Sequence, residues 1–407
     1  MSFLLFFQML TMLIPMSLFG ISSIYLSLPI VAFNFLYNAF NRKYQKIKQQ
    51  DLLLLLLAVL VLFIMITLGL IVHNSDSLDL LRMTFFGSMI FFVSFMLVSN
   101  YINHNAERAL PVLMRDIFLV AVVNSFVAVL VLVSKEAREL IYSVVTTSPK
   151  NELHLTIGMR SSGLFYFGGS IMSMFNFVVF YIGLAYLSNY KKKIHFYDIV
   201  MLLVVVLGTF ISGRMGLIFI IALIMGVIFL PKQILKVKKS IVLKVIFFSV
   251  ILFIFLVIYK YEEFRRLLNW ALELFLNYIN TGKISSVSTN TLETMYVLPT
   301  DILLGTGLFS QTEIGSDSGY VLLIWYFGAI AILSYLFVFF LHFMLVTATH
   351  NKILFRLFVF TLTAVLIGNF KDIYLFASNG ISQIYFIMLA FALLTKNQMK
   401  QVEQDQK

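Results

Sequence analysis

Two arginines stand beside glycine- and serine-containing turns in otherwise apolar sequence. Arg214 follows a Ser-Gly pair inside the segment GTFISGRMG (208–216), and Arg160 begins the segment RSSGLF (160–165). An arginine within or beside an apolar hairpin is energetically costly and is usually functional. Its planar guanidinium group suits a phosphate or a carboxylate, so we predict an anion-binding role for both. The alternative for Arg214 is an interfacial side chain that reaches lipid headgroups, and the serines after Arg160 are expected to cap the next helix.

A polar stripe runs along residues 262–280. The pattern is typical of an amphipathic helix that lies flat in a membrane interface. Within it, Arg265 and Arg266 are predicted to hold an anionic lipid headgroup, and Glu273 is a candidate substrate-binding residue. The alternative is a helix that serves only as an anchor. The stripe consists of Arg266, Asn269, Glu273, Asn277 and Asn280.

Two glycines and an aspartate precede one of the long apolar runs. Gly305 and Gly307 form a Gly-x-Gly pair, and glycine lets backbone N–H groups approach a ligand oxygen closely. Asp317 stands just before the apolar run, where a carboxylate can act as a general base. Ser318 and Tyr320 are predicted to contribute to substrate binding. The alternative for Asp317 is a helix N-cap, and a lone Gly-x-Gly is a weak signal.

Several classes of chemistry find no support in the sequence. Cysteine is absent, which excludes disulfides and thiolate chemistry. The six histidines show no metal-ligand spacing, and the sequence has no HExxH motif, P-loop or hydrolase elbow. We therefore predict no metal, no cofactor and no nucleotide-driven reaction. Lys371 and Asp372 end an apolar run and are expected to pair with each other in a structural role.

The elements that must position these residues are apolar helices. Hydrophobic residues make up 60% of the 407 residues and charged residues only 12%, whereas soluble domains have about 25% charged residues. A spanning helix needs about 20 apolar residues. We predict about twelve such helices, within a range of about ten to thirteen, because only Gly20 and a Ser-Ser pair separate the first two. The apolar runs lie at about 3–19, 21–40, 52–72, 80–103, 116–134, 164–188, 197–212, 215–230, 241–259, 319–346, 355–371 and 381–394.

The distribution of basic residues predicts the orientation of these helices. With a cytoplasmic N-terminus, most of the 30 basic residues fall in or near cytoplasmic loops, including Lys191–Lys193. Both termini are then cytoplasmic, and two long loops, 135–163 and 260–318, lie on the outer face with Arg214. The net charge of +11 is thus an orientation signal and does not require nucleic acid as a partner. The prediction is one all-α polytopic membrane domain, 1–407.

Three short motifs, together with this architecture, resemble the O-antigen polymerase (Wzy) family. The motifs are the Ser-Gly-Arg-x-Gly turn (212–216), the Arg-x-x-Gly-Leu-Phe segment (160–165), and Gly-x-Gly (305–307) followed by Ser-Asp-Ser-Gly-Tyr (316–320). Members are bacterial polymerases of O-antigen and capsule repeat units. The resemblance covers the helix arrangement of the whole chain, and each motif is short and degenerate.

The resemblance implies a glycosyltransferase of the bacterial inner membrane with a periplasmic active face. Its substrates would be undecaprenyl-diphosphate-linked oligosaccharides. The growing chain would be transferred from its lipid diphosphate to a sugar hydroxyl of the incoming lipid-linked repeat, without a nucleotide. Besides membrane lipid, a chain-length regulator and a flippase would be partners.

The residues fit the demands of that reaction. The leaving group is a diphosphate, and arginines can stabilise it without a metal. We expect Arg160, Arg214 and Arg266 to do so. The acceptor hydroxyl has a high pKa, so a carboxylate base helps. Asp317 is the expected base; the fallback candidates are Glu273 and Glu293.

Two alternative functions stay open. An O-antigen ligase is similar in fold and outer-loop plan but uses the lipid A core as acceptor, and we find no ligase-like histidine motif in 260–318. A flippase or other transporter of lipid-linked sugars would be expected to have two similar halves and a charged path through the mid-membrane. In this sequence the halves differ, and the polar residues gather at one face.

Overall fold

The structure is a computed structural model, and it describes most of the chain. Its helices follow the apolar runs, because a backbone among apolar side chains satisfies its hydrogen bonds most simply within a helix. The described residues are 2–40, 47–156, 160–229, 237–259, 269, 273, 276–283, 294–349, 351–374 and 376–396, with the backbone alone at 2 and 252–259.

Each of the predicted apolar runs contains a helix in the part of the chain that is described. The corresponding helices are α1 (Ser2–Leu13), α2 (Ser23–Phe40), α3 (Gln49–His73), α4 (Asp79–Asn105), α5 (Ala109–Val133), α8 (Ser170–Asn189), α9 (Phe196–Ser212), α10 (Arg214–Phe229), α11 (Lys239–Tyr259), α13 (Gly319–Thr347), α14 (Lys352–Gly368) and α15 (Ile381–Thr395). Shorter elements are α6 (Lys135–Tyr142), α7 (Pro149–Thr156), α12 (Gln311–Ile314), β1 (Ser17–Leu18), β2 (Ile21–Ser22) and β3 (Val145–Thr146).

Five helical stretches of the described residues are long and apolar enough to cross a membrane by length and composition. One of them is 55 residues long, because a single 3-10 turn, Ala106–Arg108, joins α4 to α5. Four further helices, α1, α9, α10 and α15, are apolar but shorter. This architecture is that of a helical membrane protein. The five stretches are Ser23–Phe40, Gln49–His73, Asp79–Val133, Ser170–Asn189 and Gly319–Thr347.

A small sheet is the exception to the predicted all-α class. α1 ends at Leu13, six residues before the end of the apolar run, and β1 and β2 then form an antiparallel hairpin. Pro15 explains the early end, because the ring of a proline disfavours a helical conformation in the residue before it. β1 also pairs with β3 from the first long loop, where Ser17 lies opposite Thr146.

The sequence placed the start of α8 too early. The helix begins at Ser170, with Gly169 as its N-cap residue at φ 69°, so the prediction that Ser161 or Ser162 caps it is wrong. Residues 160–169 instead form a loop that is hydrogen-bonded to other helices. The backbone N–H of Ser161, for example, donates to the carbonyl of Ile211 at the end of α9.

The apolar stretch 197–230, 34 residues long, is predicted to form two helices, 197–212 and 215–230, and this division is confirmed. α9 ends at Ser212 and α10 begins at Arg214, with Gly213 between them in an extended conformation. α10 then packs closely on α8, because the Gly216 N–H donates to Ser173 Oγ at 3.2 Å and a Cβ on Gly216 would overlap the Ser173 backbone. Glycine is therefore required here by close helix approach.

The contacts divide the predicted single domain into two compact units. Unit 1 comprises Met1–Ile30 and His104–Ser286, and unit 2 comprises Val31–Asn103 and Val287–Lys407. In unit 1, α8 is almost wholly buried among α5, α9 and α10. In unit 2, α13 packs along α3, and α15 is buried against α14 and α13.

A break in α13 organises one part of unit 2. Phe327 and Gly328 leave the helical conformation, and Gly328 adopts φ 57°. The loop 302–307 fills the break, since the N–H groups of Thr306 and Gly307 donate to the carbonyls of Trp325 and Tyr326. The loop carbonyl at 302 accepts the N–H of Ala329. The backbone groups released by the break thus keep partners, as an apolar environment demands.

The two long loops have different amounts of described structure. The first contains α6, β3 and α7 and ends in the loop 160–169. Most of the predicted amphipathic helix 262–280 lies outside the described residues, including both Arg265 and Arg266. Residues 269, 273 and 276–281 are helical.

We expect the break in α13 to tolerate no side chain at Gly328. Gly328→Ala would add the strain of a left-handed conformation, roughly 1–2 kcal/mol, and an overlap with the carbonyl of Leu303, roughly 1–3 kcal/mol more. Gly282→Ala is the matched control, because Gly282 has a similar φ of 70° and no described atom lies within 4 Å of its added Cβ.

The measurement is the temperature at which each purified variant loses its monodisperse peak in detergent. Gly328→Ala should melt well below Gly282→Ala, which has only the conformational strain and not the overlap. Equal melting of the two variants would show that the packing of 302–307 on α13 contributes nothing to stability.

Candidate functional site

Arg160 is held by a loop with fixed anchors on three other elements of unit 1. Next to Arg160, the loop is tied to α9 by the hydrogen bond from Ser161 described above. The Leu164 N–H donates to Asn124 Oδ1 of α5 at 2.8 Å, and the Tyr166 N–H donates to the carbonyl of Pro15 at 2.9 Å. The position of Arg160 is thus set by tertiary hydrogen bonds.

The Arg160 side chain is half-buried and lacks a carboxylate partner among the described residues. Its Nη1 lies 2.9 Å from where a Cβ on Gly169 would stand, so the guanidinium packs against the Gly169 backbone. Its Nε is buried and has no hydrogen-bond partner in the described part of the chain. A buried, charged donor without a partner is costly. An acceptor supplied by a bound anion would offset this cost.

Arg214 lies in the same region because the α9–α10 turn packs under the Arg160 loop. A Cβ on Gly213 would stand 2.8 Å from the carbonyl oxygen of Gly169, which places the turn directly against the residue that supports Arg160. The Arg214 side chain is 10% exposed, and its Nη1 lies 2.5 Å from Glu273 Oε2. The predicted anion-binding arginine thus already has a carboxylate partner within unit 1.

The two guanidinium groups interact electrostatically. Burial lowers the pKa of Arg160, and the positive charge of Arg214 lowers it further. Arginine nevertheless stays charged, since its pKa starts above about 12. Arg160, Arg214 and Glu273 form a partly buried group of side chains with a net charge of +1. Such a group attracts an anion with several oxygen acceptors.

α7 adds a histidine that the sequence did not assign to the site. His154 lies in the electrostatic field of Arg160 and Lys150, and burial lowers its pKa before those two charges do. No spacing pattern in the sequence indicated that His154 lies near Arg160. Only the predicted outer-face position of His154 could have suggested it.

The Gly-x-Gly pair forms backbone hydrogen bonds within unit 2. Gly305 and Gly307 adopt φ 74° and 79°, and their N–H groups donate to the carbonyls of Asp301 and Tyr326. His73 Nε2 is hydrogen-bonded to the carbonyl of Leu304 at 2.8 Å and holds the same loop to the end of α3. The two N–H groups predicted to approach a ligand are therefore engaged within the chain in this conformation.

Asp317 is exposed at the start of α13 and does not cap it. Ser318 is the N-cap residue, since its Oγ accepts from the Val321 N–H and donates to the Asn369 carbonyl. Tyr320 Oη donates to the Leu366 carbonyl at 2.8 Å. Ser318 and Tyr320 thus join α13 to the end of α14, while the Asp317 carboxylate faces solvent without a described partner.

Lys371 and Asp372 have separate contacts. Lys371 Nζ lies 3.8 Å from Met295 Sδ, and Asp372 Oδ1 accepts the N–H of Ile373. The described contacts of Lys371 and Asp372 are therefore with other residues and do not include the predicted pairing of the two with each other. Within the described ranges, no group of three or more histidine, aspartate or glutamate side chains could hold a metal ion.

The structure brings together some of the predicted site residues. Arg160, Arg214 and Glu273 lie in unit 1, whereas the glycine pair, Asp317, Ser318 and Tyr320 belong to unit 2. The two remaining arginines of the predicted site fall outside the described residues. Compared with known proteins, the chain matches no family model and no curated protein.

Proposed function

We propose that this chain polymerises undecaprenyl-diphosphate-linked oligosaccharide repeat units, as O-antigen or capsular polysaccharide. One observation carries the proposal: Arg160 and Arg214, 54 residues apart in sequence, are partly buried within each other's electrostatic field, and Arg160 has no carboxylate partner among the described residues. The three motifs that resemble the O-antigen polymerase family include both arginines.

The pocket suits a diphosphate better than a single carboxylate. A guanidinium about 4 Å from one phosphate charge contributes about 4 kcal/mol at an effective dielectric of about 20, against about 1 kcal/mol in bulk water. Partial burial of Arg160 and Arg214 favours the larger value. A diphosphate also has enough oxygens to accept hydrogen bonds from both guanidinium groups at once.

The proposed membrane arrangement places this pocket where lipid-linked glycans are presented. The apolar helices would form about twelve spans, with both termini cytoplasmic and the arginine pocket on the periplasmic face of the bacterial inner membrane. The distribution of basic residues supports this orientation. The lipid tail of the substrate would lie in the bilayer beside the apolar helices.

The reaction would proceed without a nucleotide, since the donor arrives activated. A hydroxyl of the incoming repeat attacks the anomeric carbon of the growing chain, and the bond to the lipid diphosphate breaks. Arg160 and Arg214 stabilise the charge that develops on the diphosphate. Preorganised donors of this kind supply much of the rate enhancement in many enzymes. Glu273 would hold Arg214 in place before the diphosphate binds.

Purified protein is expected to convert the lipid-linked repeat into a ladder of longer glycans without added nucleotide. Arg160→Ala and Arg214→Ala should each lower the rate of ladder formation by about 100-fold or more, as loss of an oxyanion donor does. Lysine at either position should restore only part of the rate, because it lacks the planar fork. Gel analysis of the labelled glycan measures the ladder.

Arg82→Ala is the control for these variants, because the Arg82 side chain is 77% exposed and pairs only with its neighbour Asp79. It should leave the ladder unchanged. A ladder of normal length and rate from either pocket variant, at normal protein level, would remove that arginine from the proposed site. Transfer to lipid A core without a ladder would identify a ligase.

Glu273→Gln should strengthen the binding of inorganic pyrophosphate, because it removes the negative charge that competes for Arg214. We expect a gain of about threefold to tenfold, which corresponds to about 1 kcal/mol. Titration calorimetry in detergent measures the affinity. Glu139→Gln is the control, since that side chain is 69% exposed. Weaker binding in Glu273→Gln would mean that Glu273 mainly orients Arg214.

A further inference from the structure

α7 is fixed to the loop that carries Arg160. Asn151 Nδ2 donates to the Tyr166 carbonyl at 2.7 Å, and the Ser148 N–H donates to the same oxygen at 3.2 Å. The Asn151 side chain also lies under Gly168, where a Cβ would stand 2.9 Å from Oδ1. Because Asn151 packs on Gly168 and Arg160 packs on the adjacent Gly169, the next turn of α7 lies in the same region of unit 1 as Arg160.

His154 occupies that next turn, three residues after Asn151. Its Nδ1 is buried and has no hydrogen-bond partner in the described part of the chain. The residue as a whole is only half-buried, so Nε2 is the nitrogen left to meet a ligand. An imidazole in the electrostatic field of Arg160, without a described hydrogen-bond partner, could exchange a proton with a ligand that the arginines bind.

The charges around His154 favour its neutral form. Burial lowers its pKa, and the positive charges of Arg160 and Lys150 lower it further. Glu152 lies on the same helix but is exposed, and Arg214 is neutralised in part by its own ion pair. At neutral pH the imidazole therefore has a free lone pair, which is the state that a general base requires.

Asp317 is a poorer base in this structure. Its carboxylate faces solvent at the start of α13 and has no described partner that would orient it towards a hydroxyl. A base acts through a fixed hydrogen bond to the proton that it removes. Glu273, a fallback candidate in the same unit as Arg160, is already bonded to Arg214.

We propose that His154 accepts the proton of the acceptor hydroxyl in the transfer reaction, an inference that rests on the proposed polymerase function. The hydroxyl O–H bond breaks and its proton passes to Nε2. The oxygen forms a bond to the anomeric carbon of the growing chain. The bond from that carbon to the diphosphate breaks, and its electron pair leaves with the lipid diphosphate, which Arg160 and Arg214 hold. The imidazolium then returns its proton to the departing diphosphate or to water.

The test measures ladder formation and pyrophosphate binding in the same preparations of unsubstituted protein, His154→Gln, His154→Ala and Asp317→Asn. His154→Gln should slow the ladder by about 100-fold or more, as loss of a general base does, while pyrophosphate affinity stays within about twofold because the arginines remain. A loss in Asp317→Asn as large as that in His154→Gln would return the role of base to Asp317.

The pH profile and chemical rescue separate proton transfer from a structural role. The rate of the unsubstituted protein should fall as the pH drops through the pKa of His154, below the usual 6.5, because protonation removes the base. This acidic limb should be missing in His154→Gln, and added imidazole should restore part of the rate of His154→Ala.

The outcomes distinguish the two proposals. A normal ladder from His154→Gln, an unchanged acidic limb, or a large loss confined to Asp317→Asn would overturn the role of His154 and leave the polymerase intact. If the unsubstituted protein binds pyrophosphate but makes no ladder, the polymerase proposal is wrong and the role of His154 falls with it. A slower ladder from a variant that also melts early and is not rescued by imidazole would identify a structural histidine.

Discussion

The cost of placing charge in a half-buried pocket constrains unit 1 most strongly. Arg160 and Arg214 lie within each other's electrostatic field, yet only Arg214 has a carboxylate partner among the described residues. Burial weakens solvent screening, so repulsion between the guanidinium groups and attraction for an anion both increase. The surrounding backbone has to hold the pair together against this repulsion. The loop 160–169 and the α9–α10 turn do so through hydrogen bonds and glycine contacts.

A second constraint acts on the backbone wherever an apolar helix is interrupted. Within apolar surroundings, each N–H and carbonyl released by a break needs a new partner. At the break in α13, the loop 302–307 supplies those partners, and Gly328 provides the conformation that lets the two backbones touch. In unit 1, backbone groups of the loop 160–169 likewise form hydrogen bonds with other segments. The glycine-containing loops 160–169 and 302–307 therefore both have a structural role. The loop 160–169 also supports Arg160.

Sequence reasoning succeeded where the signal is local. Apolar length placed the helices, and the charge within a 34-residue run marked the turn before Arg214. It failed where tertiary hydrogen bonds decide the conformation: the delayed start of α8, the small sheet, and the break at Gly328. The pairing of Arg214 with Glu273 and the position of His154 could not be predicted, because each depends on tertiary contacts between residues far apart in sequence.

Several buried charges in the described part of the chain have a partner of opposite charge, whereas Arg160 Nε and Arg356 Nη1 are buried without a described hydrogen-bond partner. In the described part of the chain, the buried carboxylates Asp51, Asp116 and Asp198 each lie within 2.8 Å of a lysine or arginine nitrogen. Ion pairs of this kind offset the cost of burying a charge. Arg160 has no such partner among the described residues, and its position in the electrostatic field of Arg214 distinguishes it from Arg356 as a candidate anion-binding residue. A transiently bound anion is the partner that this arrangement fits, and a diphosphate that leaves after each transfer has that property.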